Sequence, residues 1–215
     1  MIRILIADDH AIVRSGLKQL LSGEDGFVVA GEAANGLEAI KLIREQPFDM
    51  VLMDMSMPGR SGIELIKQIK SEKPKLAILV LSMHKEEQYA VRALKAGASG
   101  YLTKESAPDQ LVAAIRKVAS GGIYISSGVA ERLALELGGN HDAAPHTLLS
   151  DREYQIFRMI VSGTAIGHIA DELSLSVKTV STHKTRILQK MKMNSSAELI
   201  HYAIRHHLVE SPGDL

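Results

Sequence analysis

Five short apolar runs, rich in β-branched residues, recur through the first 120 or so positions: Ile2–Ala7, Phe27–Gly31, Met50–Met53, Ala77–Leu81 and Ser99–Leu102. They lack the apolar–polar alternation of half-exposed strands. Each suits a strand covered on both faces, as in a parallel sheet. Between them, apolar residues take helical spacing; Ile63, Ile66 and Ile69 lie three apart. Ser61-Gly-Ile-Glu64 reads as a capping box opening that helix. Ser106-Ala-Pro-Asp109 opens another, with Pro108 in its first turn and Leu111, Val112, Ile115 and Val118 on its inner face, and Gly121-Gly122 ends it. Strict alternation of strand and helix predicts an α/β doubly wound, five-stranded parallel sheet over residues 1–121.

The texture then changes. Ile123–Gly139 reads as a bridging helix with Val129, Leu133 and Leu137 on one face, and the polar, turn-rich stretch Gly138–Thr147 as a flexible linker. Residues 122–147 are thus expected to join the sheet domain to a small all-α domain at 148–215. There, Ser150-Asp-Arg-Glu153 reads as a capping box for a helix ended by Gly163. Thr164–Leu173 follows as a short helix. Ser176 caps a third helix running to about Met191, and Asn194–His207 forms a fourth.

The formal net charge is zero, so overall charge names no partner, and the absence of cysteine excludes disulfides, thiolate zinc sites and a cysteine nucleophile. No apolar run approaches the roughly 20 residues of a membrane span, and no signal peptide is seen. A cytoplasmic protein is the expectation.

In a doubly wound sheet, ligands bind beyond the carboxyl ends of the strands. Here the first run ends in Asp8 and Asp9, "MVLMD" in Asp54, "AILVLS" in Ser82 and "GYLTK" in Lys104. Parallel strands bring these ends onto one rim, where three carboxylates would face a single ammonium. Like charges so close need a further cation, and Mg²⁺ suits a few carboxylates with water and phosphate. A carboxylate such as Asp54 can then act as a nucleophile and form an aspartyl-phosphate. His10 and His84 lie beside these motifs; Mg²⁺ prefers oxygen, so both read as loop histidines.

"ADDH", "VLMDMSMPG" and "GYLTK" resemble the receiver domain of two-component response regulators, a flavodoxin-like fold, over about Met1 to Gly121. The resemblance implies that Asp54 is the phosphoacceptor. It further implies that Asp8, Asp9, Asp54 and the backbone carbonyl of Ser56 hold Mg²⁺, and that Lys104 pairs with the phosphoryl group. Ser82 and Tyr101 match the switch pair, with Ser where relatives often carry Thr. Pro58-Gly59 and Gly62 fit the loop after the phosphoacceptor.

The third helix of the C-terminal domain carries Lys178, Lys184, Arg186, Lys190 and Lys192 and no acidic residue. Val177, Val180, Ile187 and Met191 would face the core. That leaves Lys178, Thr179, Ser181, Thr182, Lys184, Thr185 and Arg186 to contact phosphates and base edges in a major groove. The segment from Leu149 to Val209, with "LS-RE", "IA-EL-LS-KTV--H" and the closing "AIRHHL", resembles the LuxR-type helix-turn-helix of NarL/FixJ regulators. It departs from many relatives at Thr164, Gly167 and Ser181, where they carry basic residues. His183 matches a common family position and is open between DNA contact and packing. The resemblance implies a sensor histidine kinase and double-stranded DNA as partners, with a homodimer when phosphorylated or DNA-bound and the last helix as its contact. An aspartate-dependent phosphatase would want a second Asp where Ser56 stands. A flavin protein would want a neutral phosphate loop in place of Asp8-Asp9. A receiver joined to a protein-interaction module is disfavoured by the run from Lys178 to Lys192.

Overall fold

The computed structural model describes residues 1–57, 62–83, 87–137, 144–206 and 208. The chain divides into two compact units, Met1–Gly138 and Gly139–Leu215. The first alternates strictly: β1 (Ile2–Ala7), α1 (Ala11–Ser22), β2 (Phe27–Ala33), α2 (Gly36–Glu45), β3 (Met50–Asp54), α3 (Gly62–Glu72), β4 (Ala77–Ser82), α4 (Glu87–Lys95), β5 (Gly100–Thr103), α5 (Pro108–Ala119) and α6 (Ser127–Leu137). The strands form one sheet in the order β2-β1-β3-β4-β5, every pair parallel.

Alternation along each strand explains the continuous apolar runs. Ile4, Ile6, Leu52, Leu79 and Leu81 join one core with Phe27 and with Leu21 of α1 and Leu111, Ile115 and Val118 of α5. Their strand neighbours Leu5, Val51, Met53, Ile78 and Val80 are equally buried on the other face. Because the chain passes from β2 across β1 to β3, the order reverses at the β1/β3 junction, and a crevice opens at the carboxyl ends of those two strands.

Two local readings change. The helix start expected at Ser106 falls one residue later: Ala107 is the N-cap of α5, without a side-chain cap. Ser106 Oγ instead meets Thr103 Oγ1 at 3.1 Å. Pro108 at the first position, whose missing N–H needs no partner there, still starts the helix. The helix expected from Ile123 begins only at Ser127. Ahead of it the chain is extended and lies beside β5: Tyr101 N–H donates to Tyr124 O at 3.0 Å, and Tyr124 N–H donates to Ser99 O at 3.1 Å. α6 then packs on α4 within the first unit, burying Val129. The Ser61 cap, the Pro58-Gly59 loop, His84 and most of the polar stretch 138–147 lie outside the described residues.

Gly100 permits the edge pairing. A Cβ there would stand 2.9 Å from Tyr124 O and 2.8 Å from Leu79 Cδ1. Gly100→Ala should therefore push residues 123–124 off β5. Amide exchange at Tyr101 and Tyr124 should accelerate at least tenfold while β1 and β3 stay protected, and unchanged exchange would show that the edge tolerates a side chain.

The second unit holds a single 3-10 turn (Pro145–Leu148), then α7 (Asp151–Val161), α8 (Ile166–Glu172), α9 (Val177–Met191) and α10 (Ser196–Arg205). The Ser150/Glu153 capping box forms as expected, and Gly163 takes φ +86 just beyond α7. Glu153 also accepts from Lys190 Nζ at 2.6 Å. Burial disfavours its carboxylate, but Lys190 and Ser150 outweigh burial and hold its pKa below the ordinary value. Lys190 is thereby engaged inside the fold. Between α8 and α9, Ser174 adopts φ +53 and Leu175 N–H donates back to Ala170 O, making the tight turn that lets Ser176 cap α9.

Candidate functional site

β1, β3 and β5 deliver the predicted residues to one rim. Ala7 pairs in register with Met53, so Asp8 follows β1 where Asp54 ends β3. Lys104 follows β5, its N–H donating to Ser82 O at 2.8 Å. Its side chain crosses the rim: Nζ lies 2.7 Å from Asp8 Oδ2 and 2.9 Å from Asp54 Oδ2. Both carboxylates are about 1% exposed. Ser56 N–H donates to Asp54 Oδ1 at 3.2 Å. Asp9 is half-buried beside them.

Burial pushes the Asp54 carboxyl above the usual carboxylate range; Lys104 and the Ser56 N–H oppose it, and Asp8 adds to the rise. Burial also disfavours the Lys104 ammonium, but its bonds to Asp8 and Asp54 outweigh that and raise its pKa. A second cation is close but otherwise engaged: Arg14 of α1 donates to the Asp8 backbone carbonyl at 2.7 Å and faces Glu32 at 3.6 Å. Negative charge is therefore in excess. Ligating atoms of Asp8, Asp9, His10 and Asp54 lie within 4.8 Å of one another, a mainly carboxylate set that suits a hard divalent cation.

Ser82 is fully buried at the end of β4, opposite Thr103 in register, and Tyr101 is buried on β5 opposite Val80. The two residues expected to form a switch pair thus sit on neighbouring strands, with Tyr101 two residues deeper than the rim. His10 is an exposed loop residue, as expected, and also reaches the rim. As N-cap of α1 it donates its N–H to Asp8 Oδ1 at 2.8 Å, and its Nδ1 lies 3.0 Å from Asp9 Oδ1. Its position directly after a doubled Asp, at a helix start, was the available signal. Arg14 had no signal beyond lying one turn into that helix.

On α9, Val180, Ile187 and Met191 are buried as expected. Val177 is not: at the first position of α9 it is 55% exposed. Lys178, Ser181, Thr182, Thr185 and Arg186 are exposed, and Thr179 and Lys184 are half-buried. Three of the hydroxyls turn back on the helix. Thr179 Oγ1 meets the cap Ser176 Oγ at 2.8 Å, while Thr182 and Thr185 donate to the carbonyls of Lys178 and Ser181 at 2.9 and 3.1 Å. Burial pushes the His183 imidazole below its ordinary pKa against the attraction of Glu153, which favours a neutral ring against the fold.

Residues 4–116 match the family model of the response regulator receiver domain, and residues 147–203 that of bacterial regulatory proteins of the luxR family. The chain is 41% identical over 209 residues to response regulator UvrY of Escherichia coli (strain K12), covering 97% of this chain and 96% of that one. It is 40% identical over 212 residues to response regulator GacA of Pseudomonas viridiflava, covering 98% and 99%. A solved structure of RcsB from Salmonella enterica serovar Typhimurium, bound to promoter P1flhDC in the presence of phosphomimetic BeF3-, is 28% identical with a TM-score of 0.67, over 94% of this chain and 97% of that one. The acidic rim falls inside the first match and α9 inside the second, and the chain belongs to the response regulators of the NarL/FixJ type, which join a receiver domain to a LuxR-type helix-turn-helix domain.

Proposed function

We propose that a sensor histidine kinase phosphorylates Asp54 and that the phosphoryl group controls sequence-specific DNA binding by α9, and so transcription. The observation that carries this reading is the Lys104 ammonium lodged between Asp8 and Asp54 at the β1/β3 crevice. Asp54 offers one carboxylate oxygen as nucleophile while the Ser56 N–H holds the other. Asp8, Asp9, Asp54 and the Ser56 carbonyl would hold Mg²⁺, which would supply positive charge beside the phosphoryl oxygens. As the Asp54 O–P bond forms and the donor histidine's N–P bond breaks, Asp54 becomes an acyl phosphate and Lys104 pairs with the phosphoryl group. Ser82 donates its hydroxyl to the same group, and Tyr101 packs into the space this vacates. Ser56, where a phosphatase would carry a second Asp, leaves no acid–base group for rapid turnover, so the chain acts as a switch and not as an enzyme. α10 supplies a dimer contact when the protein is phosphorylated or on DNA. The kinase's phosphorylated domain and the chromosome place the protein in the cytoplasm; among the described residues no helix is long and apolar enough to cross a membrane.

Incubation with a small phosphodonor and Mg²⁺ should label Asp54, with labelling lost to chelator; a label elsewhere overturns the assignment. DNA affinity should fall steeply with salt through counterion release, and Lys184→Ala should lower the log–log slope by about one unit. An unchanged slope would remove Lys184 from the phosphate contacts.

A further inference from the structure

α9 carries two adjacent rows of exposed residues at i, i+4, i+8. One is Val177, Ser181 and Thr185; the other is Lys178, Thr182 and Arg186. Lys184 borders the first row on its opposite side. The Val177 row is therefore a strip without charge, flanked by cations on both edges. A major groove has the complementary layout, with base edges along its floor and phosphates on either wall. Seated with its cations toward the walls, α9 turns the Val177 row to the bases.

That row has more methyl surface than hydrogen-bonding surface. Val177 is 55% exposed at the first position of the helix, the end from which a recognition helix meets base edges. Thr185 is exposed and its hydroxyl is already engaged, donating to the Ser181 carbonyl at 3.1 Å. Val180, Ile187 and Met191 are the buried residues of α9, and Val177 is not among them.

We propose that Val177 and Thr185 select the DNA site by packing against thymine C5-methyl groups, so that base identity under this row is read as apolar contact. The proposal rests on the DNA-binding reading above and names the chemistry of its target. Thymine is the one base that presents a methyl group in the major groove.

Deoxyuridine differs from thymidine at this edge only by that methyl. A duplex bound by the full-length phosphorylated chain is selected from a random library, and each thymine is then replaced singly by deoxyuridine. Affinity should drop about fourfold at one or two positions per half-site, the factor for one methyl group kept from water. Val177→Ala should abolish the effect at one position, and Thr185→Ser, which keeps the hydroxyl, at another. Both residues are exposed, so the fold should be unaffected, and each variant should bind the matching deoxyuridine duplex as wild type does. Insensitivity to every replacement, or sensitivity that survives in both variants, overturns the proposal. Failure to bind any duplex would overturn the DNA-binding reading together with it, a result distinct from tight binding without methyl dependence.

Discussion

Asp54→Asn should accept no phosphoryl group from a small phosphodonor, and at pH 7 without divalent cations its receiver unit should be more stable than wild type. The first effect removes the nucleophile while keeping its shape. The second follows from burial. The folded state raises the Asp54 pKa chiefly by taking the carboxyl out of water, and Asp8 adds to it. A raised carboxyl pKa lowers stability as pH climbs from the ordinary carboxylate range through the folded value, because the unfolded chain ionises more readily. The variant escapes that loss. The stability difference should grow as pH rises above the ordinary carboxylate range and vanish where Asp54 is protonated in both states, below about pH 3. Each kcal/mol relieved should lift the melting midpoint of a unit this size by about 4 °C. Added Mg²⁺ should narrow the difference, since it binds the folded wild type better. Equal labelling of the variant, or a variant less stable than wild type at pH 7, contradicts this account.

Lys104→Met should have the opposite consequence. Its ammonium is the cation that touches both buried carboxylates. Methionine keeps much of the volume and leaves Asp8 and Asp54 facing each other with Asp9 nearby. Stranding buried charge in this way costs about 3–5 kcal/mol. The loss should shrink as pH falls, because a carboxyl freed of Lys104 protonates more easily. Millimolar Mg²⁺ should also recover part of it. Amide exchange in β1 and β3 reads the opening free energy of this unit apart from the helical one. Exchange within a factor of three of wild type at pH 7 would show that Lys104 does not compensate the pair. The double variant Lys104→Met with Asp54→Asn should be more stable than Lys104→Met alone, the coupling expected of groups in contact.

Much of the fold could be read ahead because the central strands β1, β3 and β4 are buried on both faces, although the edge strand β2 is only half-buried from Val28 to Gly31. Ile4, Leu5 and Ile6, like Met50 to Met53, must be apolar without interruption. The acidic rim was equally legible, since a parallel sheet carries every strand's carboxyl end to one side and Asp8, Asp54 and Lys104 each follow such a run. What escaped depends on partners far along the chain. Ile123-Tyr-Ile125 has the apolar content of a helix start, but Gly100 offers Tyr124 an open strand edge, and long-range pairing overrides local pattern. Ser106 has the right spacing for a cap, but Thr103 engages its hydroxyl. Val177 keeps the helical period of core residues and still lies outside, because periodicity does not say how far the core extends toward the first turn of α9. The threonines of α9 looked like donors to bases; only the helix geometry shows two of them donating to carbonyls one turn back.

The rim and α9 lie on separate compact units, so the central claim is that charge placed on Asp54 alters the affinity of α9 for DNA. The most direct test is the affinity of the full-length chain for one selected duplex, with and without phosphorylation, at fixed salt, beside Asp54→Asn. A coupling of about 1–3 kcal/mol predicts a 5–150-fold gain on phosphorylation and none in the variant. Equal affinity of phosphorylated and unphosphorylated wild type, with labelling of Asp54 confirmed in the same sample, would contradict it.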